Sequence, residues 1–151
     1  MKINYHETTN DLQTRIDIHA QYGGRDIDAW MLDLLDLKPG MKILDVGCGA
    51  GKQCLSYHNR LNGQAQILGG DVNPDLLGQA IQRAAEAHAP IQFMPLNFNE
   101  PFALEDNRFD LLSCCFAIYY AEDMPFTIRE MHRVLKPGGR LFTTGPMPAN
   151  K

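Results

Sequence analysis

The sequence lacks the features that would direct the chain to nucleic acid or to a membrane. Its 14 lysines and arginines are outnumbered by 18 acidic residues, which gives a net charge of −4, and no run of basic residues occurs. No apolar stretch approaches the roughly 18–20 residues that span a bilayer, and the start "MKINYHETTND" lacks the apolar core of a signal peptide. We therefore predict a cytoplasmic protein whose partner is neither nucleic acid nor a membrane.

Cysteine is also scarce, and its spacing excludes the usual cysteine-based frameworks. Four cysteines occur, at positions 48, 54, 114 and 115, and none forms a CxxC pair. We expect no zinc site and no disulfide framework, but free thiols that are mostly buried. With 151 residues and 44% hydrophobic content, the chain is long enough for one domain and too short for two.

Helical and extended patterns alternate along the chain. Apolar residues recur at the spacing of one helix face until "LKPG" (37–40), and this face is predicted to pack in the core. Its residues are Ile27, Trp30, Met31, Leu34 and Leu35. A second helix (73–88) opens with Asn73 as its cap and a proline at its first position, and a third carries Ile128, Met131 and Leu135. Strands are predicted at 42–46, 65–71, 91–96, 109–120 and 140–145. This alternation predicts a parallel sheet with helices on both faces.

The turn after the first strand is rich in glycine. In "ILDVGCGAGKQC" (43–54), a carboxylate at Asp45 precedes glycines 47, 49 and 51. A phosphate-cradling loop would need GxxxxGK[ST], and a dinucleotide fingerprint would need GxGxxG; neither fits this spacing. A carboxylate at this strand tip would repel a pyrophosphate but suits a cationic ligand. At the end of the second strand, Asp71 can accept hydrogen bonds from both ribose hydroxyls, a feature shared with NAD enzymes.

Several segments together resemble the class I S-adenosylmethionine-dependent methyltransferases. "LDVGCGAG" is similar to that family's first motif, and "NRFDLLSCCFAIYYAED" (107–123) and "MHRVLKPGGRLF" (131–142) are similar to its fourth-strand and fifth-strand motifs. The likeness extends from about Tyr22 to the end of the chain. It implies a Rossmann-like sheet of order 3-2-1-4-5, with S-adenosylmethionine as cofactor, S-adenosylhomocysteine as product, and methyl transfer to a small-molecule acceptor.

The resemblance also implies which residues form the site. Asn97 stands where the family usually has an acid that meets the adenine amino group, and an asparagine oxygen can still accept that bond. Catalytic residues are not implied, and a general base is needed only for some acceptors. The cofactor-binding residues implied are Tyr22, Asp45, Gly47, Cys48, Gly49, Gly51, Asp71, Val72, Asn97, Phe98, Cys115 and Phe116. Tyr119, Tyr120 and His6 are the substrate-binding candidates.

The resemblance leaves two parts of the chain to be explained. Residues 1–24 are expected to form an N-terminal arm or lid, and residues 25–151 the cofactor-binding domain. The family's seven-stranded sheet ends in an antiparallel hairpin beside strand five, for which this chain has no counterpart. An exposed apolar edge at 140–145 would invite pairing, so we expect either a fragment of a longer protein or a homodimer that covers this edge.

Two functions from other classes stay open. One is a non-catalytic or truncated S-adenosylmethionine-binding module that acts through a partner chain. The other is a nicotinamide-dependent oxidoreductase, which would use Asp71 in the same way.

Overall fold

The computed structural model describes residues 27–115 and 117–144, and in them helices and strands alternate. The helices are α1 (Ile27–Leu35), α2 (Lys52–Arg60), α3 (Pro74–Glu86) and α4 (Met124–Val134). The strands are β1 (Met41–Val46), β2 (Ala65–Asp71), β3 (Gln92–Pro95), β4 (Phe109–Cys115) and β5 (Leu135–Thr144), and a short 3-10 turn covers Ile118–Tyr120.

The five strands form one sheet of order β3-β2-β1-β4-β5, in which every pair is parallel. Asp45 of β1 lies beside Gly69 of β2 on one side and beside Ser113 of β4 on the other. The direction of the strand order therefore reverses between β1 and β4. In open parallel sheets, ligands bind in the crevice at such a switch point, beyond the carboxyl ends of the strands. The predicted Rossmann-like α/β fold is confirmed.

Alternating side chains of the strands build a core on each face of the sheet. Ile43, Ile67 and Leu111 pack with α1, α2 and α3 on one face. Leu44, Leu68 and Leu112 pack with α4 and the chain around Phe102 on the other face. The three central strands, β1, β2 and β4, are thus buried on both sides, as expected for a parallel sheet.

The predicted strand at 109–120 is too long. β4 ends at Cys115, and Ile118–Tyr120 form a 3-10 turn. Continuous apolar character could not reveal this boundary, because a strand and a buried turn can both be apolar.

The last predicted strand begins earlier than expected. β5 starts at Leu135, which was assigned to the preceding helix, and Leu135 pairs with Phe109. The ladder resumes with Leu111 opposite Arg140, so residues 136–139 form an irregularity in which Gly138 has φ 81°. A bulge of this kind keeps "KPGG" within the strand.

The apolar face of α1 is narrower than its spacing suggests. Met31 and Leu35 are buried, but Trp30 and Leu34 are 43% and 53% exposed, so the prediction that these two pack in the core is wrong. The side of the helix that carries Met31 and Leu35 packs in the core, with Leu32 beside it.

β5 lies at one edge of the described sheet, where it pairs with β4 alone. The Arg140 guanidinium donates to the carbonyl of Leu35, which connects this edge to the end of α1. Within the described part of the chain, no helix is long and apolar enough to cross a bilayer.

Candidate functional site

A glycine loop follows β1 at the switch point. Gly47, Gly49 and Gly51 have φ values of 74°, 55° and 86°, a left-handed backbone that side chains with a Cβ adopt only at a cost. The amides of Gly47 and Cys48 both donate to the carbonyl oxygen of Gly70, at 2.7 and 3.0 Å. The loop is therefore tied to the neighbouring strand and bends over its carboxyl end.

Asp71 ends β2 and connects the loop to the start of α3. Its Oδ2 accepts from the amide of Gly49, and its Oδ1 accepts from the amide of Asn73, each at 2.8 Å. The residue is half-buried, and no ion pair with it occurs among residues 27–115 and 117–144. A carboxylate has about four acceptor positions. Asp71 can therefore accept further bonds from a ligand while it holds the loop.

Asp45 lies beneath the loop instead of opening onto a ligand. It is 2% exposed; its Oδ1 accepts from the Ser113 hydroxyl at 2.8 Å, and its Oδ2 accepts from the Cys54 thiol at 3.8 Å. Burial raises the pKa of Asp45 from 3.8 to about 7, a shift that the negative charge of Asp71 increases and the two hydrogen bonds oppose. The free protein therefore holds a proton on Asp45 below neutral pH.

The elevated pKa of Asp45 predicts how stability changes with pH. Between about pH 4 and pH 7 the folded protein keeps a proton that the unfolded chain has lost, so this group makes stability fall as pH rises through that range. Asp45→Asn removes the titration. We therefore compare the free energy of unfolding of the variant with that of wild type at each pH. This difference should be about 2–3 kcal/mol more favourable to the variant at pH 8 than at pH 5, since one pKa unit corresponds to about 1.4 kcal/mol.

Urea denaturation at the two pH values measures this difference. A constant difference between Asp45→Asn and wild type would contradict the prediction.

The far end of the crevice is formed by the chain after β2 and β3. Val72 is 64% exposed beside Asp71. The Asn97 side-chain oxygen accepts from the Asn99 amide at 2.9 Å. Phe98 packs partly against the core, and its carbonyl oxygen accepts from the Thr127 hydroxyl at 2.8 Å. Val72, Asn97 and Phe98 therefore follow the ends of two adjacent strands, β2 and β3, and the Phe98 side chain packs partly against the core.

The remaining predicted residues follow β4 or fall outside the described chain. Cys48 is buried in the loop, and Cys115 is half-buried at the end of β4; all four cysteines are free thiols, as predicted. Tyr120 is half-buried in the turn after β4, and the backbone of Tyr119 lies in the same turn. Three predicted residues lie outside the described residues: His6, Tyr22 and Phe116. The described residues contain no group of three or more potential metal ligands.

Four polar residues of the site were not predicted from the sequence. Ser113 and Cys54 hold Asp45. The Tyr57 hydroxyl and the Gln53 amide nitrogen are buried close to each other, without a hydrogen bond of normal geometry among the described residues. Ser113 interrupts an apolar strand, which was a usable signal. Gln53 and Tyr57 are four residues apart and so share a face of α2, but nothing in the sequence shows that this face meets a carboxyl group.

Comparisons with known proteins agree with this geometry. The model of the family described as "Methyltransferase domain" matches residues 37–149. Phosphoethanolamine N-methyltransferase 3 of Arabidopsis thaliana is 30% identical over 122 residues, which are 81% of this chain and 24% of that protein. The chain thus spans about a quarter of the length of this relative.

Two solved structures at 30% identity have the same fold. A S-adenosylmethionine dependent methyltransferase from Mesorhizobium loti superposes with a TM-score of 0.64, covering 76% of this chain and 52% of that one. The cyclase SpnF superposes with a TM-score of 0.68, covering 76% of this chain and 43% of that one.

Proposed function

The chain belongs to the methyltransferase domain family, in the class I group that depends on S-adenosylmethionine, and from this premise we propose that it transfers a methyl group from S-adenosylmethionine to a small-molecule acceptor. The observation that carries the proposal is the position of Asp71, whose carboxylate reaches across the end of β2 to the amide of Gly49. A ribose placed at this point would meet a strong acceptor at the switch point of the sheet.

The residues of the crevice suit the shape and charge of this cofactor. A Cβ built on Gly49 would meet no atom within 4 Å, so the loop leaves open space beside Asp71. Asp45 and Asp71 both lie at the loop, and neither has an ion-pair partner in the described part of the chain. Asp71 would hold the ribose, and Val72 and Asn97 would border the adenine. The cationic amino-acid end would lie over the loop above Asp45.

The chain's contribution to the reaction is mainly positioning. The cofactor, when bound, supplies a methyl group made electrophilic by a sulfonium. Holding acceptor and methyl in line can account for about 7–11 kcal/mol of the barrier. Tyr119, Tyr120 and Phe116, which follow β4, are proposed to border the acceptor, because β4 lies beside β1 at the switch point.

The first experiment is a comparison of ligands by thermal shift. S-adenosylhomocysteine is expected to raise the melting temperature, and NADH is not. A shift with NADH alone would support an oxidoreductase and contradict the proposal. Because Asp71 would serve either ligand, the carboxylate by itself cannot distinguish them.

A second candidate is a module that binds the cofactor without transferring its methyl group. It is favoured by the similarity to SpnF, a protein named for cyclase activity. Release of S-adenosylhomocysteine from S-adenosylmethionine in the presence of acceptor mixtures supports the methyltransferase. Binding without turnover by a folded sample supports the module, acting through a partner chain.

Residues 1–24 are proposed to form an arm over the site, bringing Tyr22 toward the cofactor's carboxylate and His6 toward the acceptor, with residues 25–151 as the cofactor-binding domain.

A cytoplasmic location is proposed because all four cysteines are free thiols. The net charge of −4 argues against nucleic acid and anionic membranes as partners.

A homodimer is proposed to form along β5. This strand pairs only with β4 within the described residues, and its Leu141 is 38% exposed. An unpaired strand edge favours pairing with a second strand. Light scattering after size exclusion should give twice the 17.0 kDa mass of the chain, and a monomer would contradict the dimer.

A further inference from the structure

The carboxyl group beneath the glycine loop has hydrogen-bond donors but no positive partner. Asp45 is 2% exposed and is held by the Ser113 hydroxyl and the Cys54 thiol. In the described part of the chain, no lysine, arginine or histidine forms an ion pair with it. Because a buried carboxylate without a cation is costly, the ionised form needs a positive charge from outside the protein.

The titratable groups around Asp45 are themselves acidic. They lie on the neighbouring strands, on α2 and in the loop. Those that interact with Asp45 or with its thiol partner are Asp71, Cys48, Cys54, Tyr57 and Cys114, and Cys115 interacts with two of these, Tyr57 and Cys114. None of them can supply positive charge. Burial together with the charge of Asp71 raises the pKa of Asp45 to about 7.

Two buried hydrogen-bond donors lie on the side of α2 that meets this carboxyl group. The Tyr57 hydroxyl and the Gln53 side-chain nitrogen lie close to each other, and neither makes a hydrogen bond of normal geometry within the described residues. Tyr57 is fully buried and lies close enough to Asp45 and Ser113 to interact with both. Unpaired buried donors are rare in folded proteins and need an explanation. The two donors are explained if they stabilise the Asp45 carboxylate in a state of the protein in which Asp45 is ionised.

We propose that Asp45 releases its proton to solvent when a cationic group binds over the glycine loop, and that Tyr57 and Gln53 are positioning residues whose donors stabilise the carboxylate that results. This rests on the proposed function, because the cation is the ammonium group of the cofactor's amino-acid end. The carboxylate then has a positive charge on the other side of the loop, and the Tyr57 hydroxyl with Gln53 beside it, which offset the cost of its burial.

Calorimetric titration with S-adenosylhomocysteine at pH 6 and pH 8 tests the proton release. With the pKa of free Asp45 near 7, the affinity is expected to be about tenfold weaker at pH 6, since the proton must leave before the cation binds. At pH 6, buffers of different ionisation enthalpy should reveal release of close to one proton per ligand. In Asp45→Asn, binding should be weaker but equal at the two pH values.

The outcomes separate this inference from the proposed function. Binding to wild type with equal affinity at both pH values and without proton release overturns the inference and leaves the proposed function intact. Absence of binding at either pH overturns the proposed function and the inference with it.

Tyr57→Phe keeps the ring and removes only the unused hydroxyl. The free variant is expected to melt at the same temperature as wild type or higher, because an unpaired buried polar group is lost. Its affinity for S-adenosylhomocysteine at pH 8 should fall about fivefold to tenfold. Gln53→Leu should lower the affinity in the same way.

The melting temperature and the affinity of Tyr57→Phe together distinguish a positioning role of Tyr57 from a structural one. A merely structural tyrosine would lower the melting temperature and leave the affinity of the folded protein unchanged. Gln82→Leu is the matched control for Gln53→Leu, because Gln82 is exposed on α3, where its side chain donates to Glu86. The affinity of this control should equal that of wild type. An affinity of Tyr57→Phe within twofold of wild type overturns the role assigned to the hydroxyl.

Discussion

Replacing Asp71 with alanine is expected to weaken the binding of S-adenosylhomocysteine by about 100-fold. The substitution removes the acceptor for the ribose hydroxyls and also the anchor of the loop, since Gly49 loses the partner that its amide has at 2.8 Å. Hydrogen bonds to charged groups contribute about 1.5–3 kcal/mol each, and tenfold in affinity is about 1.4 kcal/mol. Loss of two such bonds at the lower limit of this range gives the expected factor.

Calorimetry should compare the affinity of Asp71→Ala with that of Asp75→Ala, because both substitutions remove one negative charge. Asp75 is exposed in the first turn of α3, four residues beyond Asp71. Its alanine variant should bind within about twofold of wild type. Equal affinities of the two variants would show that Asp71 does not hold the ligand.

Gly51→Ala is expected to destabilise the fold by about 2–4 kcal/mol, because it combines a left-handed backbone with a crowded position. Gly51 has φ 86°, and a Cβ on it would lie 3.0 Å from the Cβ and 3.3 Å from the Cα of Ala80. A left-handed conformation costs an L-residue about 1–2 kcal/mol, and overpacking a core costs typically about 1–3 kcal/mol. The loop and α3 would have to separate, which also enlarges the cofactor crevice.

Gly78→Ala supplies the matched control on α3. Gly78 lies in the interior of that helix, with nothing within 4 Å of the position its Cβ would take. The same added methyl group should therefore stabilise the protein by about 0.5–1 kcal/mol. Denaturation midpoints that fall for Gly51→Ala and rise for Gly78→Ala agree with the structure. A Gly51→Ala midpoint equal to wild type would show that the loop does not pack as described.

The fold and one end of the site were predictable because they depend on local patterns. The alternation of apolar strands with helices fixed the parallel sheet, and the Asn73 cap marked the start of α3, where its side chain accepts from the amides of Asp75 and Leu76. The position of Asp71 at the end of β2 was predictable from the strand pattern, and its contact with a ligand stays a prediction.

The buried half of the site depends on contacts between distant residues, which no local pattern reveals. Asp45 was expected to face a ligand, but the sequence does not show that Ser113, in a strand 68 positions later, bonds to it from the inside. The exposure of Trp30 was missed for the same reason, because helical periodicity does not show how much of the helix surface the sheet covers.

A crystal structure of the protein with S-adenosylhomocysteine tests the central claim most directly. We predict the nucleoside in the crevice beyond the carboxyl ends of β1 and β2, with both ribose hydroxyls within hydrogen-bond distance of Asp71 and the ammonium group over the glycine loop. An empty crevice at saturating ligand, or a nucleoside bound elsewhere with Asp71 still bonded to Gly49 and Asn73 alone, would contradict it.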